Sequence, residues 1–186
     1  MTLAAIILAG GRARRLGGAS KPDLEVDGRT LLDLTLEAAA AASTIVVVGP
    51  VDVPPGVMVT REDPPGGGPV AGIAAGLDVV GERSGDVLVL ACDMPRIGRA
   101  VPELVEAAAS APDGAWLVDG EGREQPLAAV YRIASLRGAL ADLHPDGASM
   151  WQLISDLVMA DVPDDGAASR DVDTWDDLDH HRKEQP

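Results

Sequence analysis

A glycine-rich and basic segment near the start of the chain has the composition of an anion-binding loop. It runs from Leu8 to Gly18 (LAGGRARRLGG), and Lys21 follows three residues later. Glycines let backbone N–H groups approach an anion closely, while arginine and lysine side chains neutralise its charge. The spacing fits neither the G-x-x-x-x-G-K-[ST] loop nor the G-x-G-x-x-G fingerprint, so neither of those mechanisms is implied. We expect the segment to bind a triphosphate, and the alternative is a flexible glycine loop whose arginines are only solvated.

A second segment is rigid and nearly free of side chains. It runs from Asp63 to Gly72 (DPPGGGPVAG) and leads into a helix that Pro69 is suited to begin. Its bare backbone at Gly68, Pro69 and Gly72 can contact a flat base, and Asp63 can accept hydrogen bonds from a base edge or a ribose. The alternative is a plain surface loop.

A carboxylate stands just beyond a strongly apolar run. Asp86 to Ala91 (DVLVLA) is the clearest buried strand in the sequence, and Asp93 comes two residues after its end. Mg²⁺ typically takes one or two carboxylates and fills its remaining positions with water and phosphate oxygens. We therefore expect Asp93 to bind Mg²⁺, although a carboxylate here can also serve a turn or a helix cap. We expect Cys92 to be a small buried residue.

Polar residues later in the chain are candidates for a second substrate. Asp173 is a possible second metal ligand, and Asp171 could hold substrate or metal through water, unless the pair only caps the last helix. The segment Arg123 to Leu127 (REQPL) resembles one that lies near the acceptor substrate in a family of nucleotidyltransferases. The resemblance implies that Gln125 donates a hydrogen bond to that substrate, and the alternative is that it is simply the end of a strand. We expect Trp151 to be a core or half-buried packing residue rather than a stacking platform, and His180-His181 to form an exposed tail rather than a metal-binding pair.

The elements that must position these residues alternate between strands and helices. This order predicts one domain over residues 1–186, a three-layer α/β/α sandwich with a Rossmann-like, mostly parallel sheet that includes an antiparallel part. In such sheets ligands bind beyond the carboxyl ends of strands. The predicted strands are Leu3–Leu8, Thr44–Val48, Val57–Thr60, Asp86–Ala91, Ala115–Val118 and Leu127–Tyr131, and the predicted helices span 30–42, 69–80, 99–110, 133–143 and 148–158, with a last one from Thr174.

Composition narrows the classes of partner. The chain has 186 residues and a formal net charge of -15, which argues against a nucleic-acid backbone as ligand. Four of the 15 basic residues nevertheless fall within ten positions, from Arg12 to Lys21. The single cysteine excludes an internal disulfide, and no apolar run approaches the length of a membrane span. We expect a cytoplasmic protein that binds small molecules rather than nucleic acid or membrane.

These motifs together resemble the molybdenum cofactor guanylyltransferase family of nucleotidyltransferases, from Leu8 to about Leu178. The resemblance implies the fold of nucleotide-diphospho-sugar transferases, Mg²⁺ as cofactor, GTP and molybdopterin as substrates, and transient contact with other proteins of molybdenum cofactor biosynthesis. It implies catalytic roles for Arg15, Lys21 and Asp93, metal binding by Asp93 and Asp173, acceptor binding by Gln125 and Asp171, and nucleotide binding by Leu8, Ala9, Gly10, Gly11, Arg12, Lys21, Asp63, Gly68, Pro69 and Gly72.

The last motif departs from the family pattern. Relatives generally have Asn-x-Asn-Thr followed by Pro, whereas this chain has Asp171 and Asp173 in place of both asparagines and Trp175 in place of the proline. The departure leaves two alternatives open. One is transfer of CMP or GMP to another phosphorylated acceptor, and the other is a protein that binds GTP without turnover.

Overall fold

The computed structural model describes residues 2–10, 20–81, 85–164 and 167–183. Within them the chain forms nine strands: β1 (Leu3–Leu8), β2 (Glu25–Val26), β3 (Arg29–Thr30), β4 (Thr44–Val48), β5 (Met58–Thr60), β6 (Asp86–Ala91), β7 (Gly114–Val118), β8 (Glu124–Arg132) and β9 (Met159–Pro163). The α-helices in the same residues are α1 (Leu31–Ala38), α2 (Pro69–Val80), α3 (Val101–Ala108), α4 (Ile133–Ala141), α5 (Met150–Ile154) and α6 (Trp175–Lys183). Short 3₁₀ helices span Lys21–Asp23 and Ile97–Arg99.

Seven strands form one central sheet in the order β5-β4-β1-β6-β8-β7-β9. Strands β4 and β6 each pair in parallel with β1, and β5 pairs in parallel with β4. Strand β8 is antiparallel to both β6 and β7. Strand β9 pairs in parallel with β7 at the edge. The sheet is therefore mostly parallel with one reversed strand, and the predicted fold class is confirmed, including its antiparallel part.

The sheet is covered on both faces. Alternate residues of β1 show this: Ala5 and Ile7 belong to one buried cluster, Ala4 and Ile6 to another. The first cluster is completed by apolar residues of α1 and α3, and the second by those of α2, α4 and α5. A strand buried on both faces needs a continuous apolar run, which is why β1 and β6 could be recognised in the sequence.

Several boundaries follow from local chemistry. Thr30 caps α1 in a capping box with Asp33, and α2 begins at Pro69 as predicted. The predicted helix over 148–158 is wrong in its second half, because α5 ends at Ile154 and the unpredicted strand β9 follows. Reciprocal hydrogen bonds between Asp113 and Val158 hold the start of β9 beside β7.

Two side chains differ from expectation. Trp151 is 54% exposed because it lies on the outer side of the short helix α5, whereas His181 is buried at 1% exposure although it lies near the chain terminus. Helix α6 packs its inner side against the small cluster that contains Leu178, which accounts for the burial there. Among the described residues, no helix has the length and apolar character needed to span a membrane.

Candidate functional site

The carboxyl ends of two neighbouring parallel strands form the floor of the site. Leu8 at the end of β1 is paired with Ala91 at the end of β6, and the Cys92 N–H donates to the Leu8 carbonyl. Asp93 follows immediately. Residues at adjacent parallel strand ends share one edge of the sheet, and Gly10 after β1 and Asp93 after β6 accordingly line the same cleft.

Lys21 and three aspartates form a charged cluster at this edge. The Lys21 Nζ donates to Asp93 Oδ2 at 3.0 Å and to Asp173 Oδ1 at 2.5 Å. Carboxylate oxygens of Asp93, Asp171 and Asp173 all lie within 4.8 Å of one another. The structure thus brings together a lysine from near the start of the chain and aspartates from its middle and its end.

A small apolar cluster packs residues from near the start of the chain against residues from near its end. Val172 is fully buried against Leu24, Leu31 and Leu178, and its backbone N–H donates to the Asp93 carbonyl at 2.8 Å. Asp171 and Asp173 flank this buried valine. The Lys21–Asp23 turn leads directly into Leu24 of the same cluster, so apolar packing positions both the lysine and the aspartates.

The charges of the cluster shift its pKa values. Burial alone would lower the pKa of Lys21, but the hydrogen bond to Asp173 and the charge of Asp93 outweigh it and raise that pKa, so the ammonium is retained at neutral pH. Burial raises the pKa of Asp171, and the charges of Asp173 and Asp93 add to the effect. Three carboxylates with one ammonium leave uncompensated negative charge.

This arrangement suits a divalent cation. Mg²⁺ binds oxygens at about 2.1 Å, so two ligands on opposite sides of it lie about 4.2 Å apart. Carboxylate oxygens of Asp93, Asp171 and Asp173, which lie within 4.8 Å of one another, are close enough for one such ion to contact more than one of them. Lys21 now lies between two of these carboxylates, and it marks where positive charge is stabilised.

One cleft of about 740 Å³ extends from Asp93 over the end of β1. Helix α2 begins at its wall, and a helix amino terminus of this length favours an anion. The helix approaches closely because Gly72 has no Cβ, which would lie 3.0 Å from the Leu8 side chain. The lining residues are Leu8, Gly10, Val48, Pro50, Arg61, Glu62, Pro65, Gly66, Gly68, Pro69, Gly72, Ala91, Asp93 and Leu127.

Not every predicted nucleotide-binding residue can be placed there. Gly11, Arg12 and Arg15 lie outside the described residues. Ala9 is buried and its N–H donates to the Val48 carbonyl, so it supports the cleft from beneath. Asp63 is exposed and is absent from the lining.

Arg61 and Glu62 line this cleft instead, and the sequence analysis missed them. The Glu62 carboxylate accepts a hydrogen bond from the Gly66 N–H at 2.9 Å, which stabilises the glycine-rich turn. The signal that could have found them is their position directly after β5, another strand whose carboxyl end faces this edge.

A second cleft of about 550 Å³ meets the first at Ala91, Asp93 and Leu127. Residues of the turn between β7 and β8 line it. Gln125 and Asp171, the two residues predicted to bind an acceptor, both line it. Its other lining residues are Met94, Asp119, Gly120, Glu121, Arg123, Pro126, Met150, Ser169 and Arg170.

Comparison with known proteins gives a consistent family. The sequence profile of the MobA-like NTP transferase domain matches residues 5–162. The molybdenum cofactor guanylyltransferase of Pseudomonas paraeruginosa is 35% identical over 142 residues, which cover 66% of this chain and 64% of that protein. That of Cupriavidus metallidurans is 26% identical over 196 residues, covering 97% of this chain and 94% of the relative.

The fold is shared with solved structures of low sequence identity. Rv0371c from Mycobacterium tuberculosis H37Rv superposes with a TM-score of 0.78 at 22% identity, covering 97% of each chain. That protein has also been solved in complex with manganese. The fold is that of the nucleotide-diphospho-sugar transferases, as predicted.

Proposed function

The chain belongs to the family of MobA-like NTP transferase domains, and we propose that it transfers GMP from GTP to the phosphate of molybdopterin, forming molybdopterin guanine dinucleotide and pyrophosphate. The observation that carries the proposal is the meeting of two clefts at Asp93. A reaction that joins two substrates needs both to reach one point, and here a cluster of opposite charges lies at that point.

The first cleft suits the nucleotide. Its wall of glycines and prolines leaves backbone exposed for a flat base, and the amino terminus of α2 favours the phosphates. Arg61 adds a cation whose planar guanidinium can donate two parallel hydrogen bonds to an acceptor pair such as guanine O6 and N7. We take guanine as the base on this ground and on the names of the relatives.

The reaction needs no nucleophile from the protein. An oxygen of the acceptor phosphate attacks the α-phosphorus of GTP, a new P–O bond forms, and the bond to the β-phosphate oxygen breaks so that pyrophosphate leaves. Catalysis of such a transfer rests on positioning and on electrostatic stabilisation of the transition state. Lys21 lies where it can move from the carboxylates to the developing charge on the phosphates.

Asp93 and Asp173, with Asp171 beside them, are the residues that would hold Mg²⁺. The bound cation supplies charge neutralisation at the phosphate oxygens. Lys21 donates to carboxylates of Asp93 and Asp173, so it would share these ligands with a bound cation, and on leaving them it could contact the phosphates.

The test is pyrophosphate release from GTP, CTP, ATP and UTP, each with Mg²⁺ and molybdopterin. We expect release with GTP alone and none when the acceptor is omitted. Pyrophosphate release with CTP and not with GTP would show instead that the chain is a cytidylyltransferase. Thermal stabilisation by GTP without release under any condition would leave a nucleotide-binding protein and refute the transferase.

A further inference from the structure

The carboxylate of Asp119 accepts four hydrogen bonds within the turn between β7 and β8. Its Oδ1 accepts hydrogen bonds from the backbone N–H groups of Glu121 at 2.9 Å and Arg123 at 3.0 Å. Its Oδ2 accepts from the Arg123 Nε at 3.0 Å and the Gln125 Nε2 at 2.9 Å. The side chain is only 10% exposed, and it lines the second cleft together with Gln125.

These bonds determine which way the Gln125 amide faces. An ionised carboxylate only accepts hydrogen bonds, so the amide nitrogen, not the oxygen, must be turned toward Asp119. The Arg123 carbonyl lies 3.5 Å from the same nitrogen and receives its other hydrogen. Both N–H groups of Gln125 are thereby used within the turn, and its Oε1 is the atom left for a ligand in the cleft.

The carboxylate form of Asp119 is itself secured by the turn. The backbone N–H of Arg123 lowers the pKa of Asp119, and the Arg123 side chain and the Glu121 N–H lower it further. An aspartate with a lowered pKa is ionised throughout the neutral range. The orientation of Gln125 is therefore constant under the conditions in which the chain would act.

We propose that Asp119 is a positioning residue of the acceptor cleft, which fixes Gln125 so that its Oε1 accepts a hydrogen bond from an N–H group of the acceptor substrate. The inference rests on the proposed function and deepens it. It assigns Gln125 the role of acceptor, opposite to the donor role expected from the sequence, and it selects substrates that carry an amine or amide N–H edge.

Asp119→Asn tests this directly. The amide oxygen introduced by this substitution can keep the two backbone bonds, but the amide nitrogen then faces the amide of Gln125, donor against donor. Gln125 must turn over and present N–H groups to the cleft. We expect the KM for molybdopterin to rise about tenfold, the effect of losing roughly one hydrogen bond, while kcat and the KM for GTP stay near wild type.

Asp113→Asn is the matched control. Asp113 directly precedes β7, and Asp119 directly follows it. The carboxylate of Asp113, like that of Asp119, accepts hydrogen bonds; its two donors are the Ser135 hydroxyl and the Val158 N–H. It lies outside the second cleft. We expect this variant to lose stability without any change in the KM for molybdopterin.

Rescue by a second substitution separates positioning from a structural effect. Gln125→Glu alone places two carboxylates together and weakens acceptor binding. In Asp119→Asn with Gln125→Glu, the new amide can donate to the new carboxylate and an acceptor oxygen again faces the cleft, so the KM returns most of the way. An unchanged KM in Asp119→Asn, an equal loss for GTP, or a double variant no better than the singles would overturn the inference.

Direct binding distinguishes this inference from the proposed function. Fluorescence of free molybdopterin reports its binding in the absence of nucleotide. If the wild-type chain binds molybdopterin but transfers no GMP, while Asp119→Asn binds it more weakly, the transferase proposal fails and the role of Asp119 stands. Equal binding by the two proteins would refute the role of Asp119 whatever the turnover.

Discussion

Replacement of Lys21 by methionine removes the only ammonium that contacts the aspartate cluster in the described residues. Methionine keeps much of the length of the aliphatic chain, so the change is chiefly the loss of two charge-assisted hydrogen bonds, at 3.0 Å to Asp93 and 2.5 Å to Asp173. The Lys21 side chain is 18% exposed and that of Asp173 is 46% exposed. One bond is thus shielded and the other is screened by water.

The expected loss of stability follows from these exposures. A hydrogen bond to a charged group contributes about 1.5–3 kcal/mol, and the solvent-exposed partner reduces the contribution of the second bond to below about 1 kcal/mol. Together they give a decrease of about 2 kcal/mol in the free energy of unfolding. For a protein of this length each kcal/mol corresponds to about 2–4 °C, so the melting temperature should fall by about 4–8 °C.

Thermal unfolding in EDTA and in saturating Mg²⁺ is the assay. Because the metal would use the same carboxylates as Lys21, we expect Mg²⁺ to stabilise Lys21→Met more than it stabilises the wild type. Arg29→Met is the control, since it makes the same change in net charge by breaking a surface pair with Glu37. Two results would refute this reasoning. One is a melting temperature of Lys21→Met in EDTA equal to that of the wild type, and the other is a Mg²⁺-induced rise in melting temperature no larger than that of the wild type.

Three further outcomes follow from the structure. Asp93→Asn should lower Mg²⁺-dependent pyrophosphate release by at least about 10²-fold, measured at saturating GTP, and undiminished turnover would exclude Asp93 as a metal ligand. Gly76→Ala should lower the free energy of unfolding by about 1–3 kcal/mol in urea titration, because its Cβ would lie 2.8 Å from the Ile6 side chain in the core. Asp171→Asn should raise the melting temperature in EDTA at neutral pH. Because the pKa of Asp171 is raised in the native state, ionisation of this carboxyl destabilises the fold as pH rises from the ordinary pKa of about 3.9 through the raised pKa. The gain in melting temperature from Asp171→Asn should therefore vanish below about pH 3.9. A gain in melting temperature that does not depend on pH would contradict this explanation.

The parts of the fold that the sequence predicted are those with a strong local signal. The apolar run of β6 and the proline that begins α2 were recognisable because neither depends on distant residues. Strand β9 has no such signal: its sequence MADVP is short and mixed in polarity. It forms because β7 offers a free edge and because Asp113 anchors Val158, and both conditions belong to the tertiary structure.

The candidate site shows the same division. Asp93 and Asp173 could be predicted from motifs, and the contact of Asp173 with Lys21 joins residues 152 positions apart in the sequence. The orientation of Gln125 could not be predicted, because it is decided by Asp119 across a turn whose shape depends on the β7–β8 pairing. Burial of His181 likewise follows from the packing of α6.

Transfer of labelled GMP tests the account most directly. GTP labelled at the α-phosphate, incubated with molybdopterin, Mg²⁺ and the wild-type chain, should yield label in a dinucleotide whose mass equals GMP joined to molybdopterin, with one pyrophosphate released for each. Asp93→Asn should leave the label in GTP. Label that stays in GTP with the wild-type chain, although both substrates bind, would contradict the claim that the two clefts bring nucleotide and acceptor together at Asp93.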